Sequence, residues 1–147
     1  MELEARYEIL QEEYYKKIQI ESRTLSDLVK NHIVPTAIEY QSILSQNVMR
    51  LKEVLPADSF KRLSKEQVDM IIEISERISK VLSQAEEMTE ARKAANNIAD
   101  TRERALAYCD TVKPYFETIR YEVDKLELLV DNEMWPLPKY REMLYIR

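Results

Sequence analysis

Large apolar residues recur in steps of three and four along the start of the chain: Leu3, Tyr7, Leu10, Tyr14 and Ile18, then Leu25, Leu28 and His32. That spacing marks one face of an α-helix. The stripe resumes through Ala37, Leu44, Val48, Leu51 and Leu55, so the pattern predicts a helix over about 2–54. A helix of that length implies bundle or coiled-coil packing. Pro35 sits inside it. Its ring removes one hydrogen bond and clashes with the Asn31 carbonyl, so a kink is expected there rather than an end.

The stretch "LPADSFKRLSKEQ" breaks the stripe, with Pro56 and Asp58 as turn formers. Ser64 is placed to cap a second helix, and Gln67 occupies the reciprocal capping-box position. Ile71, Ile74, Ile78, Val81, Ala85 and Met88 then carry a helix predicted over about 65–109. At Ala91 the stripe slips by one residue and becomes small (Ala91, Ala95, Ile98), which implies a close helix approach or a hinge.

A third run, from Ala105 through Cys109, Val112, Phe116, Ile119, Val123 and Leu126 to Val130, is interrupted by Pro114. A break near 110–113 is expected, with Asp110 as the cap of a helix over about 112–131. The fold class is therefore all-α: a single helical domain over 1–147, built as a long antiparallel hairpin or bundle with a kinked or split returning arm. Two facing helices bury only one seam, so folding back or oligomerisation is needed to cover the rest.

The ending "DNEMWPLPKYREML" differs from everything before it. Pro136 and Pro138 cannot continue a helix and favour extended, polyproline-like backbone. Trp135, Leu137 and Tyr140 are expected to pack as a clasp over 132–147, closed by a short helical turn in "YREMLYI".

Composition narrows the function. The 147 residues contain no glycine, so phosphate-cradling loops, dinucleotide turns and nucleophile elbows have no residue to build them. Net charge is −5 with no basic tract, which speaks against nucleic acid and against a polybasic membrane patch. No apolar run approaches the ~18 residues of a membrane span, and no signal peptide is legible. Cys109 is the single cysteine, which fits a reducing, cytoplasmic setting and a buried filler role.

Candidate chemistry is sparse. Glu12–Glu13 and Glu86–Glu87 are adjacent on a helix and point about 100° apart, so they read as solvated faces. A di-iron bundle needs two Glu-x-x-His motifs. His32 is the only histidine and has Val29 three residues before it, which removes that reading. On the apolar stripe, His32 reads as a hydrogen-bonded interior residue. The nine tyrosines read as core-edge packing, with a protein interface as the alternative.

Two stretches carry a resemblance. Residues 2–41, with "KKIQIESRTL" and "NHIVPTAIEYQ", and residues 107–144, ending in "DNEMWPLPKYREML", resemble the C-terminal region of type III glutamine synthetases. The middle of the chain is generic helical sequence. The resemblance implies a parent enzyme that makes glutamine from glutamate and ammonia with ATP and Mg or Mn, assembled as a large ring-based oligomer. It also implies that the nucleotide, metal and glutamate residues lie upstream, in the catalytic domain. No catalytic, cofactor or metal residue is carried onto this chain.

What carries over is an accessory or assembly domain. Its partners would be the catalytic domain of the same chain and neighbouring subunits. Trp135, Pro136, Leu137, Pro138, Tyr140, His32 and Pro35 are its structural or interface candidates. Met1 directly before "ELEARYEI" is expected of an excised segment with an added start residue. The alternative function is a free-standing helical scaffold or adaptor that binds a partner protein.

Overall fold

The computed structural model describes residues 1–138, and among them all regular structure is helical. Six helices follow in order: α1 (Glu2–Leu28), α2 (Val34–Val54), α3 (Ala57–Leu63), α4 (Lys65–Asn96), α5 (Thr101–Ala107) and α6 (Pro114–Leu129). Two π turns, Val29–Ile33 and Tyr108–Val112, separate α1 from α2 and α5 from α6. The chain divides into two compact units: residues 1–29 with 81–121, and residues 30–80 with 122–147.

Both π turns end two residues before a proline, Pro35 in one case and Pro114 in the other. A proline has no N–H to give the carbonyl four residues back, and its ring crowds that carbonyl. Widening the preceding turn relieves the clash without ending the helical path. At the first site the Thr36 hydroxyl donates to the His32 carbonyl at 2.8 Å. The break expected at 110–113 is thus a π turn that includes Asp110, and Asp110 caps nothing.

The first unit is a three-stranded helical bundle. Its core holds Tyr15 and Ile18 from α1, Val29 from the π turn after it, Val81, Ala85 and Met88 from α4, and Tyr108, Val112 and Ile119 from the last arm. Asn96 and Glu87 of α4 bond Tyr108 and Tyr115 respectively, so α4 runs antiparallel to the α5–α6 arm. That arm fills the seam that two helices would leave open. The second helix therefore stops at Asn96 instead of continuing to 109. The small-residue slip at Ala91–Ile98 marks this end, where Ala95 is buried and the chain reverses.

In the second unit α2 and α4 run antiparallel. The Gln41 amide donates to the Ile71 carbonyl at 2.9 Å, and the Asn47 amide to Gln67 Oε1 at 2.6 Å. That engagement takes Gln67 away from the capping box. Ser64 does not cap either: its hydroxyl donates to the Phe60 carbonyl at 2.7 Å, and the preceding segment is helix α3. Glu122 is buried and accepts from Arg77 at 2.8 Å, while Arg77 also reaches Glu73 at 3.3 Å. Ion pairing is what permits a carboxylate in that position.

Candidate functional site

The reversal between α4 and α5 is built without glycine and without any positive φ. A helix end that lacks a left-handed residue must satisfy its last carbonyls another way. Here Arg104 Nε donates to the Ile98 carbonyl at 2.8 Å. Asp100 starts α5 by accepting the Glu103 N–H at 2.9 Å. The Arg104 guanidinium lies 5.3 Å from the centre of the Tyr15 ring and donates to its hydroxyl at 3.3 Å. Tyr15 in turn stacks on Tyr108 with ring centres 5.8 Å apart. The Tyr108 hydroxyl and the Gln19 amide both donate to Asn96 Oδ1. Burial pushes the Tyr108 phenol above its usual range. This network fastens the reversal to the middle of α1; it is a structural lock, with no nucleophile or acid–base pair in it.

On the N-terminal side of that lock α1 is uncovered. Every residue from Met1 to Leu10 is exposed, including Leu3, Tyr7, Ile9 and Leu10. Between these turns and α5 lies an open groove of 630 Å³ lined by Leu3, Glu4, Tyr7, Glu8, Gln11 and Arg102. It continues into a smaller depression of 300 Å³ that adds Tyr14, Leu106 and Cys109. A hydrogen bond with Cys109 and burial raise the Tyr14 phenol above its ordinary value. Cys109 is half-buried at this edge, so it is not the fully buried filler that its place on the stripe implied.

The candidates named from sequence are scattered. Trp135 is buried, and the Asp131 carbonyl accepts its backbone N–H at 3.1 Å. The Asp131 carboxylate accepts the Glu133 N–H at 2.7 Å, forming the turn that leads out of α6. Among the described residues Trp135 Nε1 has no hydrogen-bond partner. Leu137 is half-buried, Pro136 and Pro138 are exposed, and Tyr140 with the expected "YREMLYI" turn lies outside the described residues. Pro35 is exposed at the start of α2. His32 is also exposed, which corrects its reading as an interior residue: the π turn places Val29 and Ile33 inward and turns His32 outward.

Sequence reasoning missed the Arg77–Glu122 pair and the Arg104 lock. Neither shows a signal along the chain, since the bonded residues are 45 and 89 positions apart. Among the described residues no three His, Cys, Asp or Glu side chains are grouped to hold a metal. With no glycine to approach a phosphate, the described residues do not fit the ATP and divalent metal that the resemblance implies for a parent enzyme.

The described residues form an all-helical domain whose first helix begins with exposed apolar side chains. Its residues 1–52 match the family described as glutamine synthetase C-terminal domain. A glutamine synthetase from Bacteroides fragilis is 47% identical over 146 residues, 99% of this chain. A type-3 glutamine synthetase from Dictyostelium discoideum is 27% identical over the whole chain, and one named glutamine synthetase from Butyrivibrio fibrisolvens is 30% identical over 98% of it. The chain corresponds to the C-terminal region of the glutamine synthetase family. It spans about a fifth (20%) of the length of each of these curated relatives. No helix among the described residues is long and apolar enough to cross a membrane.

Proposed function

We propose that this chain is the C-terminal helical accessory domain of a type III glutamine synthetase, and that it serves assembly rather than catalysis. The observation that carries the reading is the 47% identity over nearly the whole of a chain that contains no glycine. The type III refinement is supported by the relative named a type-3 enzyme, which matches this chain from end to end. In this reading the parent joins ammonia to glutamate with ATP and Mg or Mn, using residues upstream. The accessory domain contacts that catalytic part and neighbouring subunits of a homo-oligomer in the cytoplasm.

Deleting the region from the parent polypeptide tests this. The expected result is a changed oligomer size in sedimentation, with reduced glutamine formation. An intact oligomer with unchanged kinetics would reject the assembly role. A native polypeptide no longer than this chain would leave the free-standing scaffold as the function.

A further inference from the structure

The lock at the α4–α5 reversal is bordered by two arginines that it does not use. Tyr15 of α1 stacks on Tyr108, and Glu21 and Leu25 share a depression with Phe116 and Arg120, so α1 runs alongside the last arm in the same direction. Because α4 opposes that arm, α1 and α4 are antiparallel. Their register is set where the Gln19 amide donates to Asn96 Oδ1 at 3.4 Å. One turn further along α1 stands Arg23, and one turn earlier on α4 stands Arg92. The antiparallel register therefore sets the two arginines opposite each other.

Both lie close enough to Tyr108 for their charges to oppose the rise of its phenol, as does Arg104. Arg104 is already committed, through Nε to the Ile98 carbonyl and through a second nitrogen to the Tyr15 hydroxyl. Arg23 and Arg92 have no ion-pair partner among the described residues. The acid nearest to Arg92 in sequence, Glu90, is held by Lys93 at 2.7 Å. Asn96 Nδ2 has no hydrogen-bond partner among the described residues. Arg92 is half-buried and Arg23 exposed, so the place is open to solvent.

Two like charges facing across a seam repel, and an anion between them reverses the sign of that interaction. A guanidinium presents its N–H groups as a fork matched to phosphate oxygens. Two forks from opposed helices, with an amide N–H beside them, suit a tetrahedral dianion better than a planar carboxylate. We propose that Arg23, Arg92 and Asn96 form a phosphate-binding site on the α1–α4 seam, which takes inorganic phosphate or the phosphate group of an ester. The grip is made by side chains alone, so it needs no glycine. It is separate from the nucleotide residues that the accessory-domain reading places upstream. A phosphate held there ties α1 to the end of α4, beside the lock, and stabilises the reversal.

The test titrates the chain with inorganic phosphate at fixed ionic strength, following arginine Nε–Hε resonances and the thermal midpoint. Two resonances should shift and saturate, assigned to Arg23 and Arg92 by their absence from Arg23→Gln and Arg92→Gln. At a phosphate concentration ten times the dissociation constant the midpoint should rise by about 4 °C. Either glutamine variant should remove the saturable rise. In phosphate-free buffer each should melt no lower than the unaltered chain, since a like charge is removed. Arg92→Lys, which keeps the charge without the fork, should weaken binding about tenfold.

Resonances that do not saturate overturn the proposal, as does a midpoint rise that survives in both glutamine variants. In the full-length parent, Arg92→Gln should lower the phosphate bound in equilibrium dialysis by one per subunit. An unchanged count there overturns the site in the assembled protein. The deletion test of the accessory-domain reading is unaffected by any of these results.

Discussion

The two halves of α1 carry the same kind of sequence and meet opposite fates. From Tyr15 to Val29 the stripe is packed under α4 and the α5–α6 arm, with Ile18 only 4% exposed. From Leu3 to Tyr14 it faces outward, with Leu10 62% exposed. Neither half contains glycine; acidic residues in the first turn suit the helix dipole, and i,i+4 ion pairs brace residues 2–16. Periodicity therefore establishes the helix but not its cover. Cover is decided by where the chain reverses, and the Arg104–Tyr15–Tyr108 lock sets that point.

The contrast between covered and uncovered residues is open to measurement, and the largest effect lies in the second unit. If burial rather than residue type decides, Trp135→Ala should lower the unfolding free energy by about 3–5 kcal/mol, as truncation of a buried aromatic does. Chemical denaturation checks this, and a solvent-like tryptophan emission from the native chain would contradict it. Within α1, Ile18→Ala should cost about 2–5 kcal/mol, whereas Leu10→Ala should stay within about 0.5 kcal/mol of the parent sequence. Equal denaturation midpoints for those two variants would erase the distinction between the halves.

The boundary itself is sharpened by Arg104→Ala. That change strands the Ile98 carbonyl and the Tyr15 hydroxyl, at a cost of about 1–3 kcal/mol. It should also speed amide exchange in residues 97–101, read by mass spectrometry. The smallest effect is a pH dependence. Burial raises the Tyr108 phenol above its unfolded value, so the folded chain holds that proton longer. The stabilisation is complete below the unfolded phenol's ordinary value of about 10 and is lost as pH rises through the folded value. Alkaline unfolding monitored by circular dichroism should show this decline, and Tyr108→Phe should lessen it.

The helical class and most of the apolar faces were legible along the chain, because steps of three and four are local. Pro35 and Pro114 announced irregularities whose form, a π turn before each, depends on the packing around them. The helix expected over 65–109 ran too long because Asn97–Asp100 contains neither glycine nor proline. Its turn is made by a guanidinium arriving from the next helix. His32 shows the same limit from the other side: its spacing fits the stripe, yet the π turn rotates it outward. The tyrosines divide likewise, Tyr15 and Tyr108 inside, Tyr7 and Tyr121 outside, with nothing in residue type to separate them.

The most direct test is hydroxyl-radical footprinting of residues 3–14, read in the full-length parent and in the isolated chain under identical conditions. Oxidation of Tyr7 and Leu10 should be strong in the isolated chain and several-fold weaker in the parent, while Ile18 stays protected in both. Equal oxidation of Tyr7 and Leu10 in the two samples would show that the rest of the parent does not cover this face, and would contradict the contact with the catalytic part proposed for it.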